Sequence, residues 1–195
     1  TATAVSLAGI HWADRTSSPE DRQQLLVRAR KWLRVTEPKT TEDRVFQLFG
    51  LAWAQGGPSQ RLARPLTRHP YRDWSTPEDQ RVAKEQASGL LKLQREDGGW
   101  GQLPTLTSDA YATGQVLCCL HLVGALSSGD KAFEQGIQYL LKHQCKDGSW
   151  QVSTRSKPIQ TYFESGFPHG KSQFISIAGS SWATMALLLS LKKVR

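Results

Sequence analysis

The chain has 195 residues, of which 38% are apolar and seven are tryptophan, and it carries a formal net charge of +8. That length and apolar share exclude a disordered segment and suffice to bury a core as one domain. The positive charge permits an anionic partner, but the basic residues are spread along the chain without a recognition motif, so nucleic-acid binding is not expected.

Thr3 to Ile10 reads like the inside of a helix and matches Ala112 to Leu120 in character, so the chain is expected to be a piece of a longer protein. Ser18-Pro19-Glu20-Asp21 is a helix start: a hydroxyl cap, proline at the first position and acids in the first turn. Leu25, Leu26, Ala29, Trp32 and Leu33 then give one apolar face to about residue 34. Thr40-Thr41-Glu42-Asp43 caps a further helix with Val45, Phe46, Phe49, Leu51 and Trp53 on its apolar side. Gly56-Gly57-Pro58 is expected to stop it. Residues 1–55 thus read as the first hairpins, and 56–76 as a basic, proline-broken connector with Arg61, Arg64, Arg68 and Arg72. These arginines could clamp a pyrophosphate or an acidic partner, although a solvated surface is the better explanation.

Thr76-Pro77-Glu78-Asp79 repeats the start signal, for a helix to Gln94. Asp109 is a good N-cap for the helix bearing Val116, Leu117 and Leu120. Another helix spans Asp130 to Gln144, and the last runs from Ser180 to Leu191. About seven helices and no strand define an all-α chain of antiparallel helical hairpins. Cys118, Cys119 and Cys145 show neither a disulfide framework nor a zinc spacing, and read as buried thiols. No metal or cofactor is implied. No signal segment is visible, and the longest apolar run, Met185 to Leu191, is too short for a membrane anchor. The compartment is therefore not set by these residues.

One phrase occurs twice. Gln94, Asp97, Gly98 and Trp100 recur as Gln144, Asp147, Gly148 and Trp150, each fifty residues on and each after an apolar helix. A constant offset marks a repeated structural unit, so 77–195 reads as two repeats. Asp-Gly closes a turn, the tryptophan folds back, and the glutamine can bond backbone groups of a neighbouring helix. The phrase is expected to be a structural clip. Only Gly101 to Ser108 separates the first copy from its next helix, whereas an inserted loop, residues 151–179, follows the second.

Gln-x-x-Asp-Gly-x-Trp resembles the QW motif of squalene-hopene cyclases and related terpene cyclases. The stretch from Asp147 to Trp150 and on to Ala178-Gly179-Ser180-Ser181-Trp182-Ala183 is similar to a C-terminal cyclase repeat. The likeness is clear over about residues 80–195 and rests on hairpin layout alone over 1–55. It implies a partial α/α toroid, an apolar isoprenoid-like ligand, and the remainder of a larger parent chain as partner. An open arc exposes apolar edges, so a homo-oligomer is a further possibility.

The catalytic residues do not carry over directly. Such cyclases protonate an alkene with an Asp-x-Asp-Asp segment, which this chain lacks, and Asp109 stands alone at a helix start. The related prenyltransferases need Asp, Cys and His on zinc, but Tyr111 follows Asp109 by two and the last helix has no His. Asp109 and Glu164 remain the candidate acids. Tyr111, Tyr162, Phe163, Phe167, His169, Lys171 and Trp182 are the candidate ligand-binding residues, five of them on the inserted loop. Three readings stay open: a binding or scaffolding module without its own catalysis, a cyclase-type isomerase completed elsewhere, and a protein-interaction module.

Overall fold

The computed structural model describes residues 2–13, 18–54, 76–157 and 160–191. Among them are seven α-helices and no strand: α1 Ala2–Ala13, α2 Pro19–Val35, α3 Thr41–Trp53, α4 Pro77–Lys92, α5 Ala110–Leu122, α6 Lys131–Lys142 and α7 Gln173–Ser190, the last entered through a 3-10 turn at Gly170–Ser172. The all-α expectation holds. The predicted stop at Gly56-Gly57-Pro58 and the connector arginines lie outside the described residues.

Local chemistry sets the helix starts. Ser18 Oγ accepts the Asp21 N–H at 3.1 Å with Pro19 behind it. Thr40 and Asp43 bond each other's backbone N–H groups reciprocally, so α3 opens with a full capping box. Asp109 Oδ1 accepts the Ala112 N–H at 2.8 Å at the start of α5.

The last helix requires a correction. It begins at Gln173 and not at Ser180, so the connection after Trp150 ends at Ser172. Its buried face is Gln173, Ser176, Gly179, Ala183 and Ala186. The helical period is present there, but small and polar residues carry it, so hydrophobic patterning did not show it. The longer helix passes, by length and composition only, the test that the run Met185 to Leu191 fails. Gly170–Ser190 is long enough for a bilayer span, and its 18-residue window of mean hydropathy 1.2 is 28% buried inside the protein.

The chain divides into two compact units, one comprising residues up to Lys92 with Cys119–Ser127, the other Leu93–Cys118 with residues from Ser128 on. In the first, Leu7, Leu33, Val45, Leu48, Leu51, Val82 and Leu90 form the core of α1 to α4. Gly50 lets α3 meet its neighbours closely: a Cβ there would lie 2.8 Å from Leu33 and 3.0 Å from Ala4. Gln47 donates to Leu33 O and, at 3.0 Å, to Thr36 O, meeting carbonyls that the end of α2 leaves unpaired. Asp79 on α4 is fully buried and takes Arg30 and Arg34 of α2 at 2.7 and 2.6 Å.

In the second unit Trp100, Leu117, Phe133, Leu140 and Trp150 are buried. Burying side chains of this size contributes about 2 to 3 kcal/mol each. Gly114 sits where α5 meets α7, and a Cβ there would lie 2.6 Å from the Trp182 carbonyl carbon. Cys118 is buried here and Cys119 in the first unit, whereas Cys145 is half-buried. Burial pushes the Cys118 thiol up to about 12, so it is no nucleophile at neutral pH.

Candidate functional site

Both copies of the repeated phrase close into the same turn. Gly98 and Gly148 have φ of 83° and 86°. Their N–H groups bond Arg95 O and Cys145 O, both at 2.9 Å. Asp97 Oδ1 accepts the Gly99 N–H and Asp147 Oδ1 the Ser149 N–H. Gln94 and Gln144 donate to Gly98 O and Gly148 O, both at 2.9 Å. Gln94 also donates to Ala132 O on α6 at 2.8 Å, and is thereby tied to the next helix. The tryptophan N–H groups are held by the following helix: Trp100 N donates to Thr113 Oγ1 and Trp150 N to Ser180 Oγ. The Trp150 indole N–H donates to Leu140 O at 2.8 Å.

These turns place Asp109 at the edge of a cleft of about 520 Å3 in the second unit. Asp109 Oδ2 accepts the Gln102 amide at 2.8 Å, and Oδ1 is the cap of α5. Burial pushes its carboxyl above the ordinary 3.8, against the Ala112 N–H and the Gln102 amide, which pull it down. Gln102 Oε1 in turn accepts Arg155 Nε at 3.1 Å and Nη2 at 2.6 Å. Tyr139 and His143 line the same cleft with rings 4.1 Å apart. Sequence reasoning missed Gln102 and Arg155, because no periodicity links a turn residue to a loop residue fifty-three positions on.

The residues of the inserted loop are organised from below. Gln173, fully buried, donates to Phe163 O at 2.8 Å and accepts the Ser165 N–H at 2.6 Å. Tyr162 and Phe163 stay exposed, as do Glu164 and Lys171. Tyr162 O–H donates to Glu164 Oε2 and the Gly166 N–H to Oε1. That Tyr162 bond is the main reason the Glu164 carboxyl lies below its usual range, the opposite of what a proton donor needs. Phe167 packs edge-on to His169. His169, at φ 84°, brings Nε2 to 2.8 Å from Ser149 Oγ. Ser149 Oγ already donates to Asp147 Oδ1 at 2.6 Å, so His169 is the donor. That direction is reversed from the one that activates a serine nucleophile. Tyr111 and Trp182 are half-buried on α5 and α7. The candidate acids share no partner: Asp109 belongs to the cleft, Glu164 to the loop.

The outward side of α7 carries Phe174, Ile177, Met185 and Leu188, exposed by 52, 36, 42 and 60%. With exposed Ser181 between them they recur at three- and four-residue steps, an apolar stripe interrupted by one hydroxyl. A separate cavity of about 240 Å3 lies in the first unit beside Trp32, Leu33, Phe46 and Gln47.

Fold and site define an all-α protein with paired Asp-Gly-x-Trp turns. The family profile of the squalene-hopene cyclase C-terminal domain matches residues 71–178, and the chain belongs to that family. It is also similar to lanosterol synthase of Saccharomyces cerevisiae, 29% identical over 123 residues, 63% of this chain. The matched part spans only 16% of that synthase.

Proposed function

We propose that the chain is a squalene cyclase C-terminal-type module that holds an apolar, isoprenoid-like ligand or scaffolds a larger protein, without a catalytic acid of its own. The observation that carries this reading is the apolar stripe of α7. An amphipathic helix normally hides its large apolar side, whereas α7 hides its small residues and presents Phe174, Ile177, Met185 and Leu188 outward. Such a face fits an apolar ligand, and the likeness to a lanosterol synthase and to the squalene-hopene cyclase family favours an isoprenoid-like one. In the α/α toroid that the resemblance implies, this module supplies part of an arc completed by other hairpins of the parent protein.

Titration with farnesol, read through tryptophan fluorescence, tests the reading, because Trp182 lies on α7. Saturable binding is expected, weakened by Phe174→Ser and Leu188→Ser. Binding unchanged in both variants would contradict it.

A second reading, a cyclase-type isomerase completed by residues outside this chain, rests on Asp109, whose burial favours the neutral acid. Both its oxygens already accept N–H donors, which favour the ionised form and work against the effect of burial. Turnover of squalene by the intact parent protein, abolished by Asp109→Asn, would establish this second reading over the first.

A further inference from the structure

Arg155 is exposed, yet one buried side chain, Gln102, holds it in one orientation. Its Nε and Nη2 both donate to Gln102 Oε1, and Gln102, 8% exposed, is fixed through its own amide to Asp109 Oδ2. This leaves the Nη1 edge of a fixed guanidinium for another acceptor at a cleft of about 520 Å3, within the size range of small-molecule sites. Ser108, Tyr139 and His143 line the same cleft. His143 Nδ1 is engaged with Tyr139 O at 2.8 Å, so only its Nε2 is left for a further partner.

We propose that this cleft binds a small molecule through one carboxylate or phosphate group, with Arg155 as the anchor. A planar guanidinium fork is matched to both anions, and orienting it beforehand lowers the entropy lost on binding. The charges that oppose an anion here are Asp97, whose Oδ1 accepts the hydroxyl of the cleft-lining Ser108 at 2.9 Å, and Asp109. The effect of Asp109 is blunted in three ways: it is largely buried, its oxygens accept the Gln102 and Ala112 N–H groups, and it sits at the positive end of α5. The proposal is independent of the apolar-ligand reading, which concerns the outer face of α7.

Calorimetric titration of the chain with inorganic phosphate, hexanoate and hexanol tests it. One or both anions are expected to bind, and their relative affinity separates a phosphate ligand from a carboxylate one; hexanol controls for apolar binding. Arg155→Gln is expected to weaken the anion at least about tenfold with an unchanged melting temperature, and Arg155→Lys by less, since it keeps charge but not the fork. Gln102→Leu, which frees the fork while retaining Arg155, is expected to lose affinity as well. The proposal is overturned if neither anion binds at millimolar concentration, or if Arg155→Gln binds as tightly as the unaltered chain.

Discussion

Gly98 and Gly148 occupy the same place in the same turn, and their surroundings differ. Both have positive φ, where any side chain costs about 1 kcal/mol or more. At Gly98 a Cβ would also lie 2.5 Å from Gln135 O of α6, whereas at Gly148 the nearest atom is 4.0 Å away. Gly98→Ala is therefore expected to lower stability clearly more than Gly148→Ala, by a further 1 kcal/mol or so, in chemical denaturation. The turn was legible in the sequence, because Asp-Gly-x-Trp states its own chemistry. That only the first copy backs onto a neighbouring helix was not, since the contact lies outside the phrase. Asp109 gives a second case. Asparagine caps helices well, so Asp109→Asn looks harmless. The amide can nevertheless satisfy only one of Ala112 N–H and Gln102, because Gln102 Oε1 is committed to Arg155. A loss of about 1 kcal/mol is expected. Arg155→Ala frees Gln102 to turn over, so the double variant should recover part of that loss, and strictly additive effects would refute the coupling.

At the scale of the helices, α2 and α4 are joined by Asp79 with Arg30 and Arg34. Burial raises the Asp79 carboxyl, but the Arg34 hydrogen bond and the Arg30 charge together outweigh it and bring it below 3.8. A carboxyl lowered in the folded state stabilises fully above its unfolded value, and that contribution is lost as pH falls through the folded value. Stability should therefore decline below about pH 4, and more shallowly in Asp79→Asn, which at pH 7 costs about 3 kcal/mol by leaving two guanidinium groups unmatched. Asp109 has the opposite sign: its carboxyl is raised, so its contribution is largest in acid and is lost as pH rises through the folded value. An equal acid slope in the unaltered chain and in Asp79→Asn would contradict this assignment. Most helix starts were legible because Ser18, Thr40 and Asp109 are caps. The start of α7 was not, since its anchor is a buried glutamine whose partners, Phe163 and Ser165, precede it by up to ten residues.

For the whole molecule, the fold class and the family were both present in the sequence, carried by a phrase repeated at fifty residues. The cleft was not, because Gln102 and Arg155 meet only after two turns have closed. The seven candidate ligand-binding residues also divide in space: Tyr111 and Trp182 are half-buried on helices, whereas Tyr162, Phe163 and Lys171 are exposed on the loop. The apolar stripe of α7 lies on a helix whose first half had been read as loop, and it is this stripe on which the proposed function rests. Photo-crosslinking tests that claim most directly. A prenyl alcohol bearing a diazirine is irradiated with the chain, and the labelled peptides are mapped by mass spectrometry. Label concentrated between Phe174 and Leu188, and competed away by farnesol, is the expected result. Label confined to the cavity around Trp32 and Phe46, or spread without competition, would contradict it.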